Sequence, residues 1–158
     1  MIAEAPFLFS IAALSASLAG LAGLVAALRR GTEMRGQDLY RLQQIVEFCF
    51  ANILIALIVV PLAAYFGAIE PAVRIVAGLA LVYDTLTIVL LRRRQRRVGL
   101  VRSRGWYVGA TALNLLLIIT AVTALLTGAV APLEAMLIVL LARPMFAFVL
   151  VLQSFDRP

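Results

Sequence analysis

The chain has 158 residues, of which 64% are hydrophobic, and its mean hydropathy is +1.05. These values exceed the range of soluble globular domains, so water is not the main solvent of this chain. The formal net charge is +6, and all of the positive charge comes from arginine, because the chain contains neither lysine nor histidine. Their absence removes the commonest metal ligands, general bases and Schiff-base partners, so we expect no cofactor and no enzymatic activity.

Five apolar segments follow one another along the chain and predict helices at about residues 5–28, 42–69, 72–91, 106–127 and 133–153. At a rise of ~1.5 Å per residue, each segment is long enough to cross a hydrocarbon layer ~30 Å thick. We therefore predict an all-α membrane protein, with residues 1–158 forming a single transmembrane domain that is a bundle of five transmembrane helices.

The first predicted helix is rich in small residues at four-residue spacing. Ala12, Ala16 and Gly20 lie on one line of the helix, and Ala19 and Gly23 lie on another. Small residues at this spacing let two helix backbones approach closely in a membrane.

The third predicted helix contains Asp84 and ends in a block of arginines, ALVYDTLTIVLLRRRQRR from Ala80 to Arg97. Arginines next to a membrane helix are retained on the cytoplasmic side, so the block predicts an outside N-terminus and a cytoplasmic C-terminus. Because these arginines flank apolar segments, we expect them to attract anionic lipid headgroups and not nucleic acid. The block comprises Arg92, Arg93, Arg94, Arg96 and Arg97.

Polar residues occur at a similar predicted depth in four helices. Counting inward from the cytoplasmic ends places Glu47 at ~9 Å, Asp84 at ~12 Å, Asn114 at ~13 Å and Arg143 at ~15 Å. The three charged groups would cost on the order of 9 kcal/mol if they faced lipid unpaired. We therefore predict a polar cluster inside the bundle or at the centre of an oligomer. Secondary candidates are Gln44, Asn52, Thr120 and Pro144.

Three interpretations of the cluster remain open. Two carboxylates and one arginine leave one surplus negative charge, which favours passage of a proton or a cation. Alternatively, Arg143 forms a buried ion pair with Asp84 or Glu47 that fixes the helix register, and the other acid is neutral or hydrated. The arginines at the inner face would repel cations, so an anion path through Arg143 is a further alternative.

Three stretches, FSIAALSASLAGLAGLVAALRR, DLYRLQQIVEFCFANILIALIVVPLA and LLRRRQRR, resemble a group of short, uncharacterised bacterial five-helix inner-membrane proteins. An AGL-type first helix, an acidic residue early in the second helix and a later proline recur in that group, and Glu47 and Pro61 occupy the last two places here. The resemblance covers the first three helices, and it implies a location in the bacterial cytoplasmic (inner) membrane.

The function that we expect is a homo-oligomeric channel or carrier for protons or cations. Self-association is expected because five short helices with one polar cluster enclose little space for a solute path. The alternative is a non-transporting membrane subunit or anchor, which packs against a partner membrane protein through the small residues of its first helix.

Overall fold

The computed structural model of the chain describes residues 4–28, 36–98 and 104–155, with side chains described over 4–28, 41–90 and 108–152. Within these ranges the backbone forms five α-helices and no strand. The helices are α1 (Ala5–Leu28), α2 (Gly36–Phe66), α3 (Ile69–Val98), α4 (Arg104–Thr127) and α5 (Val130–Phe155).

Each of the five helices contains a segment that is long and apolar enough to cross a membrane. The candidate spans are Ala5–Leu28, Arg41–Phe66, Ile69–Leu90, Val108–Thr127 and Val130–Leu152. The structure therefore confirms an all-helical chain with five candidate membrane-spanning helices.

Two turns between helices fall within the described residues, and each begins with a glycine. Gly67 follows the last residue of α2 with a φ of 66°, and Gly128 follows the last residue of α4 with a φ of 68°. Glycine adopts this left-handed conformation readily because it has no Cβ, and many helices end in this way. The amide of Gly128 also donates a hydrogen bond to the carbonyl oxygen of Ala124 at 2.8 Å.

The first turn lies earlier than predicted, at residues 67–68 instead of 70–71, because α2 ends at Phe66 and not at residue 69; the second turn is shorter, at residues 128–129 instead of 128–132. We expected α3 to begin near residue 72 and α5 near residue 133, but the helices begin at Ile69 and Val130. Pro71 and Pro132 therefore occupy the third position of a helix instead of a turn. The first turn of a helix tolerates proline, because its amide groups have no intrahelical acceptor.

The opposite ends of the helices extend beyond the apolar segments. α2 begins at Gly36 instead of residue 42, and α3 continues to Val98 instead of ending at residue 91. The backbone of the arginine block is thus helical, consistent with the high helix propensity of arginine. The side chains of Arg92, Arg93, Arg94, Arg96 and Arg97 lie outside the described side chains.

The helices divide into two compact units. We call Ala3–Leu57 with Leu140–Pro158 the terminal unit, and Ile58–Val139 with Met1–Ile2 the central unit. The terminal unit contains α1, most of α2 and the second half of α5. The central unit contains α3, α4 and the adjoining parts of α2 and α5. The expectation of a single domain stays a prediction.

The core of the terminal unit consists of side chains from α1, α2 and α5. Around it lie partly buried apolar residues of the same three helices, including Leu18, Val25 and Phe148. The cysteine is a free thiol within this core and not a surface group. The fully buried members are Ala22, Leu42, Ile45, Cys49 and Val151.

In the central unit, α3 packs against α4 in the antiparallel direction. A Cβ atom placed on Gly78 of α3 would lie 3.8 Å from Cδ1 of Leu125 in α4. One on Gly128, beyond the end of α4, would lie 3.0 Å from Nε of Arg74 and 3.3 Å from Cβ of Glu70. The start of α3 therefore covers the end of α4.

The two turn glycines provide a matched test of this packing. Alanine at Gly67 meets no atom within 4 Å, so it incurs only the left-handed backbone cost, about 1–2 kcal/mol. Alanine at Gly128 has the same backbone cost and in addition crowds Arg74 and Glu70, which adds about 1–3 kcal/mol. We expect Gly128→Ala to lower the free energy of unfolding in mixed micelles more than Gly67→Ala. Equal losses for the two variants would contradict this packing of α3 over the turn.

Candidate functional site

Asp84 lies on the buried face of α3, at the end of a line of small apolar residues. Val73, Ala77 and Ala80 precede it at spacings of four, three and four residues, so all four residues share one face of the helix. The three apolar residues are 0% exposed and Asp84 is 2% exposed. The carboxylate is therefore placed inside the protein and not towards lipid.

The polar candidates of α4 belong to the same central unit. Asn114 is half-buried and continues the line formed by the buried residues Leu117, Ala121 and Ala124. Thr120 is also half-buried, and its hydroxyl donates to the carbonyl oxygens of Leu116 at 2.9 Å and Leu117 at 3.0 Å. Thr120 therefore uses its hydroxyl within its own helix.

Arg143 and Pro144 lie side by side on the buried side of α5 in the terminal unit. Arg143 is 9% exposed, so most of its long side chain is enclosed by protein. Pro144 has no amide hydrogen, and the carbonyl of the buried Leu140 lacks the hydrogen bond that this position would supply in a regular helix.

Asn52 forms a hydrogen bond with a side chain of another helix. Its Nδ2 donates to Oγ of Ser15 at 2.9 Å, and that hydroxyl donates to the carbonyl oxygen of Ile11 at 2.9 Å. Asn52 and Ser15 are both 0% exposed. This chain of hydrogen bonds joins α1 to α2 in the interior of the terminal unit, and Oδ1 of Asn52 is buried without a hydrogen bond.

Glu47 lies on the outer side of α2 and is exposed, in contrast to Asp84. Its Oε1 accepts a hydrogen bond from Nε2 of Gln43 at 3.2 Å, and Gln43 is exposed as well. Gln44 is half-buried. Within the chain, Glu47 is thus a surface group of a candidate membrane span.

The predicted cluster divides between the two units. Asp84 and Asn114 belong to the central unit, whereas Glu47 and Arg143 belong to the terminal unit. A cluster of all four residues stays a prediction. No pattern in the sequence singled out Ser15, and Asn52 was predicted only as a secondary candidate.

The described residues contain no group of three or more acidic, cysteine or histidine side chains that could hold a metal ion. The polar groups present are single carboxylates, amides and a guanidinium. They are suited to binding a proton or an ion by hydrogen bonds and charge.

The chain matches no protein-family model, no curated protein and no solved structure.

A double-mutant cycle tests the link between α1 and α2. Asn52→Ala and Ser15→Ala each remove one side of the hydrogen bond, and we expect a coupling energy of about 0.6–1.7 kcal/mol, as for other hydrogen bonds between membrane helices. Unfolding in mixed micelles measures it.

Ser17→Ala is the matched control for this cycle, because Ser17 is an exposed serine of α1 that donates only within its helix, to the carbonyl of Ala13 at 2.9 Å. We expect no coupling between Ser17→Ala and Asn52→Ala. Coupling of the same size in both cycles would show that Asn52 and Ser15 do not interact specifically.

Proposed function

We propose that the protein is a homo-oligomeric channel or carrier for protons or cations, and that the carboxylate of Asp84 is its ion-binding group. The observation that supports this proposal best is the burial of Asp84, 2% exposed, within the candidate span Ile69–Leu90. Ionisable side chains inside membrane helices are rare, and they commonly mark ion or proton pathways.

The charge inside the central unit favours a cation over an anion. Asp84 is the one buried charged side chain among the described residues of that unit. A carboxylate inside a membrane helix attracts positively charged ligands, a cation or a proton, and repels anions. Both ligands are positive, and Asn114 in the same unit supplies an amide for hydrogen bonding.

The proposal includes an orientation and a location. An arginine-rich connection at residues 92–104 contrasts with the two short turns at Gly67 and Gly128 on the other side of the helices. Arginine is retained in the cytoplasm, so the C-terminus lies on the cytoplasmic side of the membrane and the N-terminus lies on the outer side. The membrane is the cytoplasmic membrane of a bacterium. The same arginines then lie next to anionic lipid headgroups.

The outer side of α1 favours a second candidate function, a non-transporting subunit or anchor. Ala16, Gly20 and Gly23 are exposed, and a Cβ atom on either glycine would meet no atom within 4 Å. Such a surface accommodates the close approach of a helix from a partner membrane protein. A flux measurement separates the two functions, because an anchor conducts no ions.

Asp84→Asn tests the proposed ion-binding group. The substitution keeps the shape of the side chain and removes its charge, which forfeits an interaction of about 1.5–3 kcal/mol with a bound cation. We therefore expect proton or cation flux into liposomes, under pH and voltage gradients, to fall about 10- to 100-fold.

Glu47→Gln is the matched control for Asp84→Asn, because it removes an exposed carboxylate by the same isosteric change. We expect Glu47→Gln to retain the flux of the unsubstituted protein. Flux of the unsubstituted protein no higher than that of empty liposomes would exclude transport, and equal flux in Asp84→Asn would exclude Asp84 as the binding group.

The orientation is tested by labelling the two turns. In a Cys49→Ala background, Ala68→Cys and Ala129→Cys each place a thiol at an exposed turn residue. We expect a membrane-impermeant maleimide to label both variants in intact cells with a permeabilised outer membrane. Labelling that requires disruption of the cytoplasmic membrane would reverse the proposed orientation.

A further inference from the structure

The outer face of α2 carries a regular line of exposed residues. Between Arg41 and Leu57, the exposed residues of this helix are Gln43, Glu47, Phe50 and Leu54. We call these four residues the α2 seam. We infer that the α2 seam is an interface between two copies of this chain, in which Gln43 of each copy hydrogen-bonds Glu47 of the other.

The spacing of the α2 seam is that of a helix pair. Its residues are four, three and four positions apart, which is the repeat of positions a and d in a heptad. At ~100° per residue they fall within a sector of ~60°, so they form one narrow stripe. Phe50 is 57% exposed and Leu54 is 67% exposed, which makes both side chains available to a neighbouring helix.

The polar end of the α2 seam supplies the specificity. Gln43 and Glu47 already form a hydrogen bond of 3.2 Å within one chain, so both side chains are oriented along the stripe. An amide carries two N–H groups and a carboxylate can accept about four hydrogen bonds, so the same pair has capacity for its counterpart in a second chain. Glu47 lies ~9 Å along α2 from Arg41, where the candidate span begins, and a carboxylate at that depth is better placed between helices than against lipid.

The occupant that fits the α2 seam is a second copy of the chain in parallel orientation. All copies insert in the membrane with the same orientation, so a two-fold axis along the membrane normal brings each seam residue next to its own counterpart. Each copy then contributes one donor, the amide of Gln43, and one acceptor, the carboxylate of Glu47. The two residues are one helical turn apart in each copy.

This interface rests on the homo-oligomeric part of the proposed function, but it does not depend on transport. The α2 seam lies on the outside of the terminal unit, whereas Asp84 is enclosed in the central unit. Assembly and flux are therefore measured separately, and either can fail without the other.

Disulfide cross-linking tests the geometry of the interface. In a Cys49→Ala background, Phe50→Cys and Leu54→Cys replace seam residues, whereas Ala51→Cys and Ile53→Cys replace half-buried residues beside them. A disulfide requires the two Cα atoms to lie about 4.4–6.8 Å apart, so we expect cross-linked dimers with Phe50→Cys and Leu54→Cys only. Leu126→Cys on α4, where the native leucine is 72% exposed, is the control for random collisions.

The polar end of the α2 seam is tested by measuring how tightly two copies associate in liposomes. Energy transfer between labelled copies, followed as the protein is diluted in the lipid, gives the dissociation constant. We expect Glu47→Leu and Gln43→Leu each to raise the dissociation constant about 3- to 30-fold, the range for a hydrogen bond between membrane helices. Glu47→Gln retains the acceptor and should associate as the unsubstituted chain does. Thr123→Val removes an exposed hydroxyl that bonds within α4, to Ile119 at 2.8 Å, and should have no effect.

Three outcomes would overturn the inference. Equal cross-linking at residues 50, 51, 53 and 54 would indicate non-specific collisions. Cross-linking no stronger than that of Leu126→Cys would leave the α2 seam facing lipid. Unchanged association of Glu47→Leu would show that the polar pair plays no part. Loss of flux with intact cross-linking would instead concern the proposed transport alone.

Discussion

Hydrocarbon offers no hydrogen bonds, and this constraint accounts for the distribution of side chains in the protein. Phenylalanine, leucine, isoleucine and valine are exposed along all five helices, whereas the buried polar side chains among the described residues are Ser15, Asn52, Asp84 and Arg143. In a water-soluble bundle the distribution would be reversed. Each buried polar group then requires neighbouring groups that hydrogen-bond it or pair with its charge. This requirement constrains how the helices pack against one another.

The five helices were predictable from the sequence because the membrane sets a minimum apolar length, and α1 has the predicted bounds of 5–28. Their ends were less predictable. Pro71 and Pro132 were assigned to turns on the basis of local propensity, but each lies in the first turn of a helix. The left-handed glycines Gly67 and Gly128 were the better signal, because a helix end in this conformation excludes most other residues.

The burial of the candidate residues could be predicted only in part. Asp84 and Arg143 were expected inside, since a charge facing lipid is costly, and both are buried. The same cost argument placed Glu47 either inside the bundle or at the centre of an oligomer. In the single chain Glu47 is exposed, because Ile45, Cys49 and Asn52 occupy the opposite side of α2 and face the core. The contact between Asn52 and Ser15 joins residues that are 37 positions apart in the sequence. No local sequence pattern specifies a contact between residues so far apart.

The order of the units along the chain has a consequence for synthesis at the ribosome. Residues 58–139 of the central unit form one continuous stretch, so its helices can associate as soon as that stretch has entered the membrane. The terminal unit is completed by the final helix, since Val151 packs with Ala22 and Leu42 in one core. A nascent or truncated chain without its last residues leaves that core uncovered in the lipid.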